Sequence, residues 1–261
     1  MKIPIYQIDA FTGKVFGGNP AAVCALPSWI DAQLMQSIAA ENNLAETAFI
    51  VREGSDYGLR WFTPTLEVDL CGHATLASAY AVFNRLEPGR SNVTFNSRSG
   101  PLGVSANDGL LTLDFPALPP KPLELPAQLQ AALGGAAPVE TLAATNWLVV
   151  YASESEVRSL EPDFRAMATL ERERGVIVTA PGQTVDFVSR FFAPAHGIDE
   201  DPVTGSAHCT LTPYWSKRLG KTKLRAQQIS ARGGELLCED RGERVLISGR
   251  ASLYLEGEIN V

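Results

Sequence analysis

Hydrophobic and polar residues alternate over short runs along much of this 261-residue chain. A period of two is typical of β-strands, because successive side chains point to opposite faces of a sheet. The runs that follow this pattern are 3–8, 93–95, 102–105, 110–115, 147–151, 244–248 and 252–255. The chain is therefore predicted to consist mainly of short strands, with helices between them.

Two surface helices are predicted from helical spacing and from capping residues. Residues 29–41 carry an apolar stripe at helical spacing, and Ser28 is the predicted N-cap. Ser153 and Glu156 form a capping box, which indicates the start of a second helix.

An internal repeat is visible at about half the chain length. Residues 60–64 read Arg-Trp-Phe-Thr-Pro, and residues 190–194 read Arg-Phe-Phe-Ala-Pro. In both halves a β-rich run and a turn precede this segment, and an acidic loop follows it. Each loop ends at a glycine that opens an apolar helix, Gly72 or Gly205, and the second loop is three residues longer. This shared order of features predicts a duplicated unit.

The helices after the two glycines differ from surface helices. Residues 74–83 are apolar on almost every side, which is typical of a helix buried within a domain. The second helix is predicted to run from Gly205 to about residue 219 and to end at Gly220. Pro213 is expected to kink or split it, since proline lacks the backbone N–H.

These features predict an α/β (α+β) fold of two pseudo-symmetric halves, each a curled mixed β-sheet or barrel around a central helix. Residues 1–117 are predicted to form the N-terminal half and residues 118–261 the C-terminal half. This prediction leaves open whether the last strand returns to the N-terminal half. The proline-rich segment 116–126 is the predicted linker. The two helix N-termini are expected to face a shared cleft.

Composition and charge narrow the classes of partner. The net charge is −7 and there is no run of lysine or arginine, which disfavours nucleic acid and anionic membranes. The first residues hold no apolar segment of about 7–15 residues, so we expect no signal peptide. No stretch approaches the roughly 18 apolar residues of a membrane span. The four cysteines lie far apart, and we expect free thiols in a cytoplasmic protein.

Motifs for common cofactors are absent from the sequence. There is no GxGxxG, no GxxxxGK[ST], no GxSxG and no metal-ligand spacing. The glycine loop at residues 17–20 lacks the strand–helix context of a phosphate cradle. We therefore expect no cofactor and no metal.

Gly72 and Gly205 are candidates for binding a carboxylate. The first N–H groups of a helix have no intrahelical acceptor, and glycine lets a ligand approach closely. An anion is therefore expected between the two helix starts. The same glycines would also allow tight packing of helix against strand, and the residues alone leave both interpretations open.

Titratable residues lie close to these glycines. His73 follows Gly72, Asp201 precedes Gly205, and His208 lies within a helical turn of Ser206. A histidine on an apolar helix is more often structural, and Asp-Pro commonly starts a turn. For His208 and Asp201 the residues alone therefore favour a structural role.

Glu46 is a candidate acid/base. Alternation in its segment places it on the same side as Leu44 and Ala48. A carboxylate among apolar neighbours on an inward face would have a raised pKa. The alternative is an exposed glutamate on an edge strand, which the residues alone favour.

Four segments, in order, resemble the phenazine-biosynthesis (PhzF-like) isomerase family over essentially the whole chain. They are Asp9-Ala10-Phe11-Thr12 with Phe16-Gly17-Gly18-Asn19-Pro20-Ala21-Ala22-Val23, then Asn43-Leu44-Ala45-Glu46-Thr47, then Phe62-Thr63-Pro64 through Cys71-Gly72-His73-Ala74-Thr75, and Asp201-Pro202-Val203-Thr204-Gly205-Ser206-Ala207-His208. The resemblance implies a fold similar to that of diaminopimelate epimerase, with the active site between the halves.

The resemblance also implies a function. It implies a cofactor-independent isomerase of a biosynthetic process that moves a proton on a small carboxylate-bearing metabolite. It further implies a homodimer. The implied catalytic residues are Glu46, as general acid/base, with His73 and Asp201, and the implied substrate-binding residues are Gly72, Gly205 and Ser206.

Two alternatives stay open. An amino-acid epimerase or racemase would use two opposed thiols. Cys71 precedes Gly72, but the mirror position is Thr204, which leaves a single thiol. A non-catalytic binding protein on the same fold is the second alternative, and the presence of both Glu46 and His73 disfavours it. The identity of the substrate is not encoded in any motif.

Overall fold

The computed structural model describes residues 1–170 and 174–261. The chain packs into two compact units. The first consists of residues 1–115 together with 247–261, and the second of residues 116–246. The first unit therefore contains both chain termini. None of the described helices is long and apolar enough to cross a membrane.

The elements follow one another in a mixed order of strands and helices. The first ten are β1 (Lys2–Ala10), β2 (Asn19–Leu26), α1 (Ala32–Asn42), β3 (Glu46–Glu53), β4 (Asp56–Phe62), β5 (Glu67–Val68), α2 (Gly72–Ala81), β6 (Asn92–Ser97), β7 (Gly100–Asn107) and β8 (Leu110–Pro116). The others are β9 (Lys121–Pro122), α3 (Ala127–Leu133), β10 (Glu140–Ala143), β11 (Trp147–Val150), α4 (Glu154–Arg158), α5 (Phe164–Leu170), β12 (Val176–Pro181), β13 (Phe187–Ala193), β14 (Ile198–Glu200), α6 (Gly205–Leu219), β15 (Lys223–Gln228), β16 (Gly234–Asp240), β17 (Arg244–Gly249) and β18 (Ala251–Asn260).

The strands pair in the same order within each unit. In the first unit β1–β2 is antiparallel, β2–β3 parallel, β3–β4 and β4–β5 antiparallel, β4–β6 parallel, and β6–β7 antiparallel. The second unit repeats that series of directions in the pairs β10–β11, β11–β12, β12–β13, β13–β14, β13–β15 and β15–β16. The outer strands also correspond, since β18 pairs with β1 and β9 with β10. The predicted fold class, two similar halves with mixed sheets, is confirmed.

Strand β3 is buried on both faces, as expected for a strand covered by helices on both sides. Phe49 and Val51 pack against Met35 and Ile38 of α1 in one apolar cluster. Side chains alternate along a strand, so Ala48 faces the other side. On that side the sheet of the first unit packs against α2.

The central helix α2 begins at Gly72, as predicted, and ends at Ala81, two residues before the end of the apolar run 74–83; a π-helical turn follows it. All of its residues except Tyr80 are buried. It packs against β1, β2, β3 and β18. The all-round apolar pattern of this segment therefore correctly predicted a helix enclosed by its own unit.

Helix α6 is the counterpart of α2, and Gly220 ends it in the left-handed conformation with φ 66°. Pro213 lies inside α6 and does not split it, so of the two predicted effects only a kink stays a prediction. Because proline has no N–H, the carbonyl of Cys209 loses its helical donor. The N–H of Leu118 donates to that carbonyl instead, at 2.9 Å.

The start of α1 differs from the prediction. The helix begins at Ala32, and Asp31 rather than Ser28 accepts the capping hydrogen bond. Both residue types are good N-caps, and the local pattern did not distinguish them. Ser153 caps α4 as predicted, since its hydroxyl accepts from the N–H of Glu156.

The repeated arginine makes the same ion pair in both units. Arg60 donates through Nε and Nη2 to both carboxylate oxygens of Glu67, at 2.7 and 2.8 Å. Arg190 donates in the same way to Glu200, at 2.7 and 2.9 Å. Such two-bond pairs fix geometry as well as charge. Each glutamate lies five residues before the glycine that opens the central helix, and the longer second loop contains the 3₁₀ turn Pro194–His196.

Candidate active site

The first unit brings Glu46, Cys71 and His73 together. Strands β2 and β3 are parallel, with Ala21 opposite Glu46, so both strands begin at the same edge of the sheet. Helix α2 packs on this part of the sheet. Glu46 is the first residue of β3 and His73 the second residue of α2, and these two element starts meet.

Glu46 and His73 form a close, buried pair. Oε2 of Glu46 lies 3.2 Å from Nε2 of His73, and their side chains are 13% and 5% exposed. The alignment is not that of a hydrogen bond, and neither atom has a hydrogen-bond partner among the described residues. A buried polar atom without a partner is costly. The facing atoms of the pair can therefore still form a hydrogen bond to a third group or exchange a proton with it.

The neighbours of Glu46 differ from those predicted. Asn43 ends α1 in the left-handed conformation with φ 48°, and β3 begins only at Glu46. Leu44 therefore lies outside the strand and packs against the apolar cluster beside α1. The prediction that Leu44 shares a side with Glu46 was wrong, because the alternation starts two residues later.

The other ring nitrogen of His73 faces a different set of groups. Nδ2 of Asn19 lies 3.2 Å from Nδ1, and Sγ of Cys71 lies 3.5 Å from it. An amide nitrogen can only donate, so in this orientation Nδ1 accepts and Nε2 carries the ring proton. That proton faces the carboxylate of Glu46. Sequence reasoning missed Asn19, although the glycine loop that precedes it was a visible signal.

Burial and charge set the protonation of the cluster. Burial, aided by the charge of Glu46, raises the pKa of the Cys71 thiol to about 11. Burial alone would lower the pKa of His73, but the charges of Cys71 and Glu46 outweigh it and raise that pKa well above its usual value. Since Cys71 is a neutral thiol at pH 7, the Glu46 carboxylate is the group that favours a proton on His73.

Glu46, Cys71 and His73 also carry the donor atoms of a metal site. One donor atom from each of Glu46, Cys71 and His73 lies within 4.8 Å of the others. The thiol faces Nδ1, however, and the carboxylate faces Nε2. A metal ion takes one ring nitrogen of a histidine, so Cys71 and Glu46 could not share it without rotation of the ring. The arrangement favours proton transfer over metal binding.

In the second unit, Asp201 lies in the turn that leads into α6. It is 9% exposed, and its carboxylate accepts a short hydrogen bond from the hydroxyl of Thr204. Gln228, fully buried, accepts from the N–H of Thr204 and donates to the carbonyl of Asp201, both at 2.8 Å. Gln228 therefore ties the whole turn to β15. No local motif indicated it, because Gln228 lies 24 residues after Thr204.

Gly205 and Ser206 are the first two residues of α6, as Gly72 and His73 are of α2. His208 lies one turn further, and its Nδ1 is 2.9 Å from the carbonyl oxygen of Thr204. Since a carbonyl only accepts, Nδ1 carries the proton. Burial lowers the pKa of His208 to about 4, so the ring is neutral at pH 7. These contacts support the structural interpretation of His208.

We expect His208 to make the protein less stable in acid. Its folded pKa of about 4 lies below the usual 6.5, so between these values the unfolded chain binds a proton that the folded chain does not. The contribution is fully present above pH 6.5 and is lost as the pH falls to about 4, a change of about 3 kcal/mol. Urea unfolding of the wild type and of His208→Gln across this range measures it. His196→Gln, at an exposed histidine, is the matched control. An equally steep loss in His208→Gln and wild type would contradict the assignment.

The family described as "Phenazine biosynthesis-like protein" matches residues 8–257. The chain belongs to this family. An uncharacterized isomerase of Pseudomonas aeruginosa is 53% identical, with 100% of both chains covered. A PhzF-family crystal structure from Enterococcus faecalis has a TM-score of 0.96 at 48% identity, again covering 100% of both chains.

A more distant neighbour has the same fold. The crystal structure of a hydroxyproline epimerase from Agrobacterium vitis has a TM-score of 0.59 and 10% identity, covering 99% of this chain and 92% of that one. At this identity the likeness concerns the fold alone. Family membership and the named relatives confirm two predictions for this phenazine biosynthesis-like protein, namely its family and its class, an isomerase.

Proposed function

We propose that this phenazine biosynthesis-like protein is a cofactor-independent isomerase that moves a proton on a small carboxylate-bearing metabolite, with Glu46 as the general acid/base. The observation that carries the proposal is the buried pair of Glu46 and His73, whose facing atoms lie 3.2 Å apart. A carboxylate in a buried site, next to a group that can carry the compensating charge, is suited to take up and return a proton.

The reaction is a transfer within one substrate molecule. Glu46 accepts the proton as a C–H bond breaks, and the electron pair stays on the substrate, in conjugation with an adjacent unsaturated group. Glu46 then returns the proton to a different carbon, so nothing is oxidised or reduced. His73, whose Nε2 lies 3.2 Å from Oε2 of Glu46, assists by positioning the carboxylate and by carrying the compensating charge.

The duplicated topology supports a single base. In the strand registers, Gly175 corresponds to Glu46. At the helix starts, Ser206 corresponds to His73. The second unit therefore carries a different set of residues at these positions. One acid/base pair fits a mechanism in which the same group removes and returns the proton.

The two-thiol epimerase is less well supported. Cys71 and Thr204 are the N-cap residues of the two central helices, so they are true counterparts, and one of them lacks a thiol. The pKa of Cys71, about 11, also leaves its thiol protonated at neutral pH. A base in that mechanism has to be a thiolate.

Substrate binding is proposed for the helix starts. The N–H groups at Gly72 lie at the positive end of a buried helix, which favours a carboxylate. We propose the same kind of contact for Gly205 and Ser206, and an assisting catalytic role for Asp201. A homodimer is proposed from the family resemblance alone, and a cytoplasmic location from the four separated cysteines. A small substrate rather than nucleic acid or a membrane is proposed from the net charge of −7.

Deuterium uptake tests the proposed function. The purified protein, treated with a chelator and given no cofactor, would be incubated in D₂O with a panel of small unsaturated and amino carboxylic acids. We expect at least one acid to gain deuterium at carbon and to yield an isomer, seen by NMR. A panel without any exchange, or exchange only after a cofactor is added, would contradict the proposal.

A further inference from the structure

We propose that Asn19 is a positioning residue of this site: its amide holds the His73 ring so that Nε2 faces Glu46, and it serves as partner to Nδ1 in both protonation states of the ring. The inference deepens the proposed function, on which its catalytic meaning rests. Asn19 was not among the predicted site residues.

The geometry of His73 supports this role. The ring has two nitrogens, and each faces a side chain from a different strand. Asn19, the first residue of β2, lies 3.2 Å from Nδ1, and Glu46, the first residue of β3, lies 3.2 Å from Nε2. Asn19 is fully buried and His73 is 4% exposed. With Nδ1 held by Asn19, Nε2 is on the side of the ring toward Glu46.

An amide is suited to a histidine that changes charge. When the ring is neutral, the NH₂ group of Asn19 donates to Nδ1. When both ring nitrogens are protonated, rotation of the amide by 180° presents its oxygen as acceptor. A carboxylate would pair with Nδ1 only when that nitrogen carries a proton, and an aliphatic side chain would pair with neither form. The Cys71 sulfur also lies 3.5 Å from Nδ1, but the amide of Asn19 is nearer, at 3.2 Å, and can pair with Nδ1 whether the ring gains or loses a proton.

The loop before Asn19 is built to hold it in place. The N–H of Phe16 donates to the buried carboxylate of Asp9 at 2.8 Å. Gly18 is left-handed with φ 60°, and a Cβ there would collide with the carbonyl oxygen of Ala10. Only glycine fits this position, which explains the Gly-Asn pair at the start of β2.

Among the described residues, few charged groups lie near His73. Helix α2 packs against β1, β2, β3 and β18. The nearest titratable groups are Glu46 on β3 and Cys71 at the helix start. Strand β1 contributes Asp9, which accepts a hydrogen bond from the N–H of Phe16. Strand β18 contributes Glu256 and Glu258, which form ion pairs with Arg85 and Lys2. Glu46 and Cys71 are the groups whose charges act on His73. A new charge at position 19 would therefore change its titration directly.

NMR of ¹⁵N-histidine-labelled protein, without any substrate, tests the proposal. The chain has three histidines, so His73 can be assigned by substituting His196 and His208. We expect Asn19→Asp to raise the midpoint of the His73 titration by about 1–3 pH units, since a carboxylate replaces a neutral amide. Asn84→Asp, on the turn after α2, adds the same charge away from this contact and should leave the midpoint unchanged.

A second measurement needs no variant and covers the case in which Asn19→Asp fails to fold. The wild-type protein is labelled with ¹⁵N in both asparagine and histidine. When the His73 ring is neutral, a scalar coupling across the hydrogen bond should join Nδ2 of Asn19 to Nδ1 of His73. Asn19→Leu should abolish it. A wild-type spectrum without this coupling, or a midpoint in folded Asn19→Asp equal to that of Asn84→Asp, would overturn the proposal. Neither readout depends on isomerase activity, so a failure of the proposed function is detected separately by deuterium uptake.

Discussion

Replacement of Glu46 by glutamine is expected to slow proton exchange into the substrate by about 10²–10⁴-fold, the usual cost of losing a general acid/base. Glutamine keeps the shape of the side chain and can still contact His73, but it cannot take up a proton. The effect should fall on kcat more than on KM, because the chemical step is affected and the binding groups at the helix start are not. Deuterium incorporation from D₂O into a turned-over acid measures it.

Cys71→Ser is the matched control, since Cys71 lies in the same cluster and serine fills nearly the same space. The thiol is protonated at neutral pH because its pKa is about 11, so this variant should retain much more activity than Glu46→Gln. Exchange that survives in Glu46→Gln but is abolished in Cys71→Ser would overturn the assignment. A substrate-independent readout accompanies the pair, since removal of the Glu46 charge should lower the pKa of His73.

Much of the fold could be predicted because its signals are local. Alternation and all-round apolarity are properties of short segments, and they identified the strands and the enclosed helix α2. The repeat at Arg60 and Arg190 reflects an ion pair that each unit needs at the same place, before the central helix. The start of α1 was missed because Ser28 and Asp31 are both good caps.

The site was only partly predictable for a physical reason. Glu46 and His73 are recognisable by residue type and by family resemblance, but their 3.2 Å contact depends on the start of α2 packing against the start of β3. Asn19 and His73 lie 54 residues apart, and Gln228 and Thr204 lie 24 apart. Such contacts are fixed by strand register and helix packing, which no local pattern encodes.

Gln228→Leu is expected to destabilise the protein by about 2–6 kcal/mol. Two backbone groups, the N–H of Thr204 and the carbonyl of Asp201, would each lose a hydrogen bond in a buried turn, at about 1–3 kcal/mol apiece. Leucine fills the space but offers no polar atom. Denaturant unfolding at pH 7 measures the change. Because the same turn holds Asp201, deuterium exchange should fall as well.

Gln227→Leu is the matched control, because the same substitution then lies one residue earlier, on the opposite face of β15 and only half-buried. Surface changes of this kind usually stay within about 0.5 kcal/mol. Gln228→Glu separates the two bonds: a carboxylate still accepts from Thr204 but cannot donate to the carbonyl of Asp201. It should therefore be less stable than wild type, and more so as the pH rises and the new carboxyl ionises beside Asp201. If Gln228→Leu were as stable as Gln227→Leu, the turn before α6 would be held by its own residues, and Gln228 would have no part in positioning Asp201.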